Sequence, residues 1–127
     1  MRNQLCEMLN ELNNVFYESN YRSFPVDVEE KNGNYEITCD LAGVKKENIQ
    51  IDFVDSILTI KAEKKVEKDE KARYIVCERT NQKFRRDLDF GNIEAENLNA
   101  KFENGILKIA LIAKKPIDHA KRNITIE

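Results

Sequence analysis

Apolar residues recur at every second position over most of the chain. Tyr35, Ile37, Cys39 and Leu41 alternate with polar neighbours, and the same alternation returns over residues 49–53, 58–62, 98–102 and 107–111. A strand that buries one face and exposes the other has this period of two. The pattern predicts seven or more short antiparallel strands with no helix between them, which is typical of a β-sandwich.

Three short turn sequences separate the alternating segments. Asn32-Gly33 and Asn104-Gly105 each lie between two of them, and Asn-Gly readily takes the positive φ angles of a type I′ turn. Asp55-Ser56 separates two more, and a short Asp side chain can bond its own backbone in a turn. We therefore predict three hairpins, which join residues 26–28 to 35–41, 49–53 to 57–62, and 98–102 to 107–111.

The two ends of the chain depart from this period. The apolar residues of the first segment are spaced by three and four, as on one face of a helix: Leu5, Met8, Leu9, Leu12 and Phe16. This amphipathic arm, residues 1–23, either packs on its own domain or presents an exposed face to partners. Residues 24–113 form the predicted domain. Residues 114–127 contain Pro116, charges and no periodicity before Ile124-Thr125-Ile126, and are predicted to form an extended tail.

A long charged segment interrupts the strands. Ten of the thirteen residues from Lys61 to Arg73 are charged, with mixed signs and no apolar period, which indicates a solvated loop. Tyr74, Ile75, Val76 and Cys77 then return to the composition of a strand. This segment could pair within its own chain or with the sheet edge of a neighbour, and the sequence leaves both possibilities open.

Arg86 stands among apolar residues. The period of two places it on the same strand face as Phe84, Leu88 and Phe90. Because a charge on an inward face is costly unless it is paired, we predict that Arg86 binds a carboxylate at a seam or subunit interface. The alternative is a twisted strand that lets its guanidinium reach solvent.

Composition narrows the functional class. Lys plus Arg (21) and Asp plus Glu (23) nearly cancel, which gives no electrostatic footprint for nucleic acid or an anionic membrane. The three cysteines are widely spaced without a zinc or redox motif, so we expect reduced thiols and no metal. No apolar stretch reaches the length of a signal peptide or membrane span, and we expect a soluble, cytoplasmic protein.

Catalytic motifs are not found in the sequence. His119 is the sole histidine, the glycines form no phosphate loop, and no Ser or Cys motif places a nucleophile beside a base. We therefore expect neither an enzyme nor a bound cofactor.

Four motifs resemble those of the small heat-shock protein family, whose core is the alpha-crystallin domain. Residues 40–49 (DLAGVKKENI) resemble its Asp-Leu-Pro-Gly segment followed by Lys-Glu-(Asp/Asn)-Ile, and residues 100–107 (AKFENGIL) resemble its Ala-x-x-x-Asn-Gly-(Val/Ile)-Leu signature. Phe84-Arg85-Arg86 resembles its Phe-x-Arg element, and Ile124-Thr125-Ile126 its Ile-x-Ile/Val tail. The departures, such as Ala42 for Pro and Gly91-Asn92 for Leu-Pro, fall in loops.

The resemblance implies an all-β, immunoglobulin-like antiparallel sandwich and an ATP-independent holdase. Such a chaperone binds unfolding client proteins under stress, prevents their aggregation and leaves their refolding to ATP-driven chaperones. The arm residues Leu5, Met8, Leu9, Leu12 and Phe16 would contact clients. A monomeric co-chaperone or adaptor with the same sandwich, as in CS-domain proteins, is the alternative.

The resemblance also implies two modes of self-assembly. In the first, Tyr74, Ile75 and Val76 cross to pair with Val26 and Val28 of a second copy, with Arg86 at or beside the dimer seam. In the second, Ile124 and Ile126 of one dimer dock into a groove of another, which assembles dimers into larger homo-oligomers. That groove would lie between two strands whose facing residues are Ile49, Ile51 and Phe53 on one and Leu98, Ala100 and Phe102 on the other.

Overall fold

The computed structural model describes residues 21–114 and Ile126. The alternating segments form seven strands, β1 (Val26–Lys31), β2 (Asn34–Asp40), β3 (Ile49–Val54), β4 (Ile57–Lys64), β5 (Gln82–Asp89), β6 (Ala95–Glu103) and β7 (Ile106–Ala113). A single 3-10 turn, Lys46–Asn48, precedes β3 in this part of the chain. The predicted all-β class is confirmed.

The strands form two sheets that pack as a sandwich. One sheet has the order β1-β2-β7-β6 and the other the order β3-β4-β5, with every adjacent pair antiparallel. Four strands therefore lie at edges: β1 and β6 in the first sheet, β3 and β5 in the second.

The three predicted hairpin turns are present, and each has positive φ at both central residues. The angles are 55° at Asn32 and 82° at Gly33, 52° at Asp55 and 64° at Ser56, and 52° at Asn104 and 75° at Gly105. Type I′ turns have these angles, and their twist matches that of the flanking strands. Gly105 also lies close to a neighbouring loop, because a Cβ there would lie 3.1 Å from the Ala42 Cα, an unusually tight contact.

The core lies between the inward faces of β2, β4 and β7. Its fully buried side chains are Ile37, Cys39, Leu41, Leu58, Ile60, Ile109 and Leu111. Aromatic rings close one end, where Tyr35 and Phe90 meet edge to face with their centroids 4.9 Å apart. The period of two therefore identified the buried face of each of these strands.

A short crossover segment before β1 was not predicted. Arg22 pairs in parallel with β5, because its N–H donates to the Lys83 carbonyl (2.9 Å) and its carbonyl accepts from the Arg85 N–H (3.0 Å). The chain then passes through the buried Phe24 to reach β1 in the other sheet. The segment thus covers part of the outer edge of β5.

The charged segment is a long loop from residue 65 onward, whereas its first four residues, 61–64, continue strand β4, so the predicted start of the loop at Lys61 is wrong. Tyr74, Ile75 and Val76 form no strand with any part of the described chain, and Ile75 is 88% and Val76 65% exposed. Cys39 is a free buried thiol, whereas Cys77 is disulfide-bonded. The prediction of three reduced thiols is therefore wrong at Cys77. Within residues 21–114, no helix is long and apolar enough to cross a membrane.

Candidate functional site

The tail groove was predicted between β3 and β6, which are edge strands of different sheets. On β3, Ile49, Ile51 and Phe53 are half-buried and alternate with exposed neighbours. On β6, Leu98 and Phe102 are half-buried in the same way, whereas Ala100 is exposed. Phe53 and Leu98 line a common pocket, so the structure brings these two predicted residues together. The pocket does not include the other four, Ile49, Ile51, Ala100 and Phe102.

Ser56, which the sequence predicted only as a turn residue, fixes the shape of this pocket through a contact that was not predicted. The buried Ser56 hydroxyl donates to the Ile93 carbonyl and accepts from the Ile93 N–H, both at 2.8 Å. These bonds tie the β3–β4 turn to the loop before β6, and both Ser56 and Ile93 line the pocket. Serine at a turn position that usually favours glycine is the sequence signal that could have indicated a special contact.

The predicted dimer edge is β1, which carries Val26 and Val28 among four charged residues. β1 pairs with β2 on one side, and no described strand pairs with its other side. Val26 and Val28 lie opposite Cys39 and Ile37, so they share the inward face of the sheet, yet Val28 is 44% exposed. Residues 74–76 do not pair with β1 within the described chain. Ile75 and Val76 are largely exposed, whereas the Tyr74 hydroxyl accepts a hydrogen bond from the Asp69 N–H (2.9 Å).

Arg86 lies on the inward face of β5 as predicted, but its hydrogen-bond partners are not the predicted carboxylate. One guanidinium nitrogen, Nη1, donates to the Phe24 carbonyl and to the Ser23 hydroxyl, each at 3.3 Å. No carboxylate between residues 21 and 114 forms an ion pair with it, so the predicted acidic partner is not found there. Arg86 instead secures the crossover segment to β5.

The Arg86 charge also acts on the buried thiol of Cys39. Burial raises the pKa of Cys39 from 9.0 to about 11, the Arg86 charge opposes this rise, and the Asp40 charge adds to it. The thiol therefore stays protonated at neutral pH. A neutral buried Cys behaves as a small apolar side chain and not as a nucleophile.

The remaining predicted residues lie largely outside the described part. This holds for Ile124 and for the arm residues Leu5, Met8, Leu9, Leu12 and Phe16. Ile126 is described and is 93% exposed, so it does not occupy the groove of its own chain. The described residues contain no cluster of metal-ligating side chains.

Sequence comparison decides the family. The profile of the Hsp20/alpha crystallin family matches residues 27–127, which include all seven strands apart from Val26. The chain belongs to this family. A curated relative, the 18 kDa heat shock protein of Clostridium acetobutylicum, is 36% identical over 103 residues, covering 78% of this chain and 68% of the relative. Heat shock protein HSP.16.4 of Streptococcus thermophilus is 29% identical over 117 residues, covering 90% and 82%.

Solved structures agree with the Hsp20 assignment. Heat shock protein 16.0 from Schizosaccharomyces pombe matches with a TM-score of 0.63 and 29% identity, over 84% of this chain and 99% of that one. The hspA from Xanthomonas axonopodis matches with a TM-score of 0.61 and 26% identity, over 75% and 97%. The sandwich is therefore an alpha-crystallin domain, and the protein is a small heat-shock protein chaperone. Its family consists of ATP-independent chaperones, which confirms the prediction that it is not an enzyme.

Proposed function

We propose that this small heat-shock protein is a holdase that binds unfolding client proteins under stress and prevents their aggregation without ATP. It assembles from dimers into larger homo-oligomers, acts in the cytoplasm, and leaves its clients to ATP-driven chaperones. The observation that carries the proposal is the edge of β1, where Val28 is exposed and no described strand pairs with the outer side. A pocket lined by Phe53 of β3 and Leu98 of β6 provides a second surface. Residues 21–114 by themselves leave the outer side of β1 available to another chain.

In the proposed dimer, Tyr74, Ile75 and Val76 of one copy add to the open edge of β1 in the other. The added segment would cover Val28, which is 44% exposed in one chain. The charged loop supplies the length of solvated chain that such a crossing needs. Arg86 would lie near this seam, since the crossover segment it holds leads directly into β1.

In the proposed oligomer, Ile124 and Ile126 of one dimer occupy the groove of another. Side chains two apart on an extended segment point to the same side, so both isoleucines can enter the groove while Thr125 faces outward. The tether over residues 113–123 spans at most about 36 Å. Burial of two isoleucines contributes roughly 3–6 kcal/mol before ordering costs, so each plug is weak and many must act together.

Stress would loosen these contacts and expose the grooves and arms to clients. In this proposal, Leu5, Met8, Leu9, Leu12 and Phe16 form an apolar arm surface, and residues 1–23, 24–113 and 114–127 act as arm, domain and tail. Limited proteolysis would test these boundaries, with cleavage expected outside the central domain and not within it.

The holdase claim is tested by the aggregation of a model client upon heating, in the absence of ATP. Light scattering should fall as the chaperone is added, in proportion to its amount. A double variant, Ile124→Gly with Ile126→Gly, should give smaller assemblies, which sizing by light scattering would reveal. A client that aggregates equally with and without the protein would rule out the holdase, and unchanged assemblies in the variant would rule out the plug.

The alternative is a monomeric adaptor of the CS-domain type. The open β1 edge and the exposed Ile75 and Val76 favour self-assembly over this alternative. Native mass measurement separates the two, because an adaptor would be a monomer at micromolar concentration.

A further inference from the structure

A pair of like charges on the neighbouring strands β1 and β2 suggests which register the second copy adopts. Glu29 of β1 lies directly opposite Glu36 of β2, and both side chains are exposed on the outer face of the sheet. Like charges in this position destabilise a strand pair. Neither glutamate forms an ion pair within residues 21–114. The open side of β1 is therefore a place where a cation from another chain would be stabilised.

Such a cation stands at the start of the apolar segment that the proposed dimer uses. Arg73 immediately precedes Tyr74, is exposed, and forms no ion pair in the described chain. We propose that Arg73 of one copy binds Glu29 of a second copy, and that this contact fixes an antiparallel register for residues 73–76 on β1. The inference rests on the proposed dimer and specifies its geometry.

Apolar matching selects the same register independently. In an extended segment Tyr74 and Val76 share one face and Arg73 lies on the other, while Val26 and Val28 share the inward face of β1. An antiparallel strand with Tyr74 opposite Val28 and Val76 opposite Val26 covers both valines. Counting one residue back along that strand places Arg73 opposite Glu29, on the outer face beside Glu36.

Other registers lose either the contact between Arg73 and Glu29 or the cover over Val26 and Val28. A parallel strand with Tyr74 opposite Val26 and Val76 opposite Val28 places Arg73 opposite Pro25, away from any acid. In the antiparallel sense, a shift of two residues places Arg73 either opposite Lys31, where two cations repel, or opposite Asp27, which leaves Val28 uncovered. A shift of one residue turns Tyr74 and Val76 to the outer face.

Charge exchange between two variants tests the contact in trans. Variant Glu29→Lys and variant Arg73→Glu each oppose like charges in their own homodimer, so each homodimer should dissociate on the order of tenfold more readily than the unmodified one. In a mixed dimer both contacts are complementary again. Native mass spectrometry of the mixture, with one variant isotopically labelled, should show heterodimers well above the statistical half.

A control variant and a double variant with both charges exchanged in the same chain distinguish an incorrect register from an incorrect dimer. Arg79→Glu makes the same charge change on the same loop but beyond the proposed register, and it should leave the dimer unchanged. The double variant Glu29→Lys with Arg73→Glu should restore the homodimer. A statistical mixture, or equal effects of Arg73→Glu and Arg79→Glu, would overturn the register. If Val76→Ser also leaves the dimer intact, the proposed dimer itself is wrong. If the charge variants contradict the register but Val76→Ser weakens the dimer, the proposed dimer stands and only its register is wrong.

Discussion

Ile109 and Val76 are β-branched residues in strand-like sequence, yet they lie in opposite environments. Ile109 on β7 has a paired strand on each side and is fully buried, whereas Val76 has no paired strand and is 65% exposed. The residues that bury Ile109 all belong to one chain. Those that would cover Val76 belong, in our proposal, to a second copy. The comparison separates apolar side chains that stabilise the fold from those that stabilise the assembly.

The largest effect should come from the buried side of this comparison. Ile109→Ala removes a side chain from the centre of the four-stranded sheet, and we expect it to lower the free energy of unfolding by about 2–5 kcal/mol. The control is Ile106→Ala, three residues earlier on the same strand and 39% exposed, which should cost much less. Urea denaturation at fixed protein concentration measures both. Equal losses would contradict the assignment of Ile109 to the core.

Alkaline pH should lower the free energy of unfolding through the buried thiol of Cys39, a second residue of the intrachain core. The folded thiol titrates at about 11 and the unfolded thiol near 9.0, so the unfolded state loses its proton first as pH rises. The stabilisation is therefore complete below pH 9 and is lost as pH rises towards and through 11, by about 3 kcal/mol in total.

Cys39→Val keeps an apolar side chain of similar size and removes the titration. Urea denaturation of both proteins between pH 8 and 11 measures the loss. The unmodified chain should lose stability relative to the variant across this range, and parallel pH profiles would show that Cys39 does not contribute.

At the groove, Ser56→Ala should cost about 1–3 kcal/mol, because it leaves the Ile93 N–H and carbonyl without their partner. Ser56→Gly removes the same bonds but relieves the positive φ of 64°, so its loss should be smaller by about 1 kcal/mol. Thermal denaturation ranks the two variants. A neutral Ser56→Ala would mean that the hydroxyl does not support the groove.

The smallest effect on the unfolding of a single chain should come from Val76→Ser. Because Val76 is mostly exposed in one chain, the change should alter the free energy of unfolding of the monomer by less than about 0.5 kcal/mol. Dimer formation should nevertheless weaken, which size measurement over a dilution series would detect. A large loss of monomer stability would place Val76 in the intrachain core instead.

Local signals explain which parts of the fold could be predicted. The hairpins follow from residue pairs such as Asn32-Gly33, whose φ preferences act within four residues, and the buried faces follow from simple alternation. Alternation also predicted that the Arg86 side chain lies on the inward face of β5.

Long-range contacts explain what the sequence could not provide. The guanidinium of Arg86 binds the Phe24 carbonyl, a backbone group 62 residues away that carries no side-chain signature. The pairing of Arg22 with β5 could not be predicted either, because a single paired residue produces no alternating pattern in the sequence. The Ser56 contact with Ile93 joins two turns that only the completed sandwich brings together.

Hydrogen exchange of the amides of residues 73–76 tests the central claim most directly. If a second copy pairs with this segment, its amides should exchange slowly in the assembled protein and rapidly in the Val76→Ser variant. The β2 and β7 amides should remain protected in both, which shows that the fold is intact. Rapid exchange of residues 73–76 in the unmodified protein, at concentrations where it is fully assembled, would contradict the account.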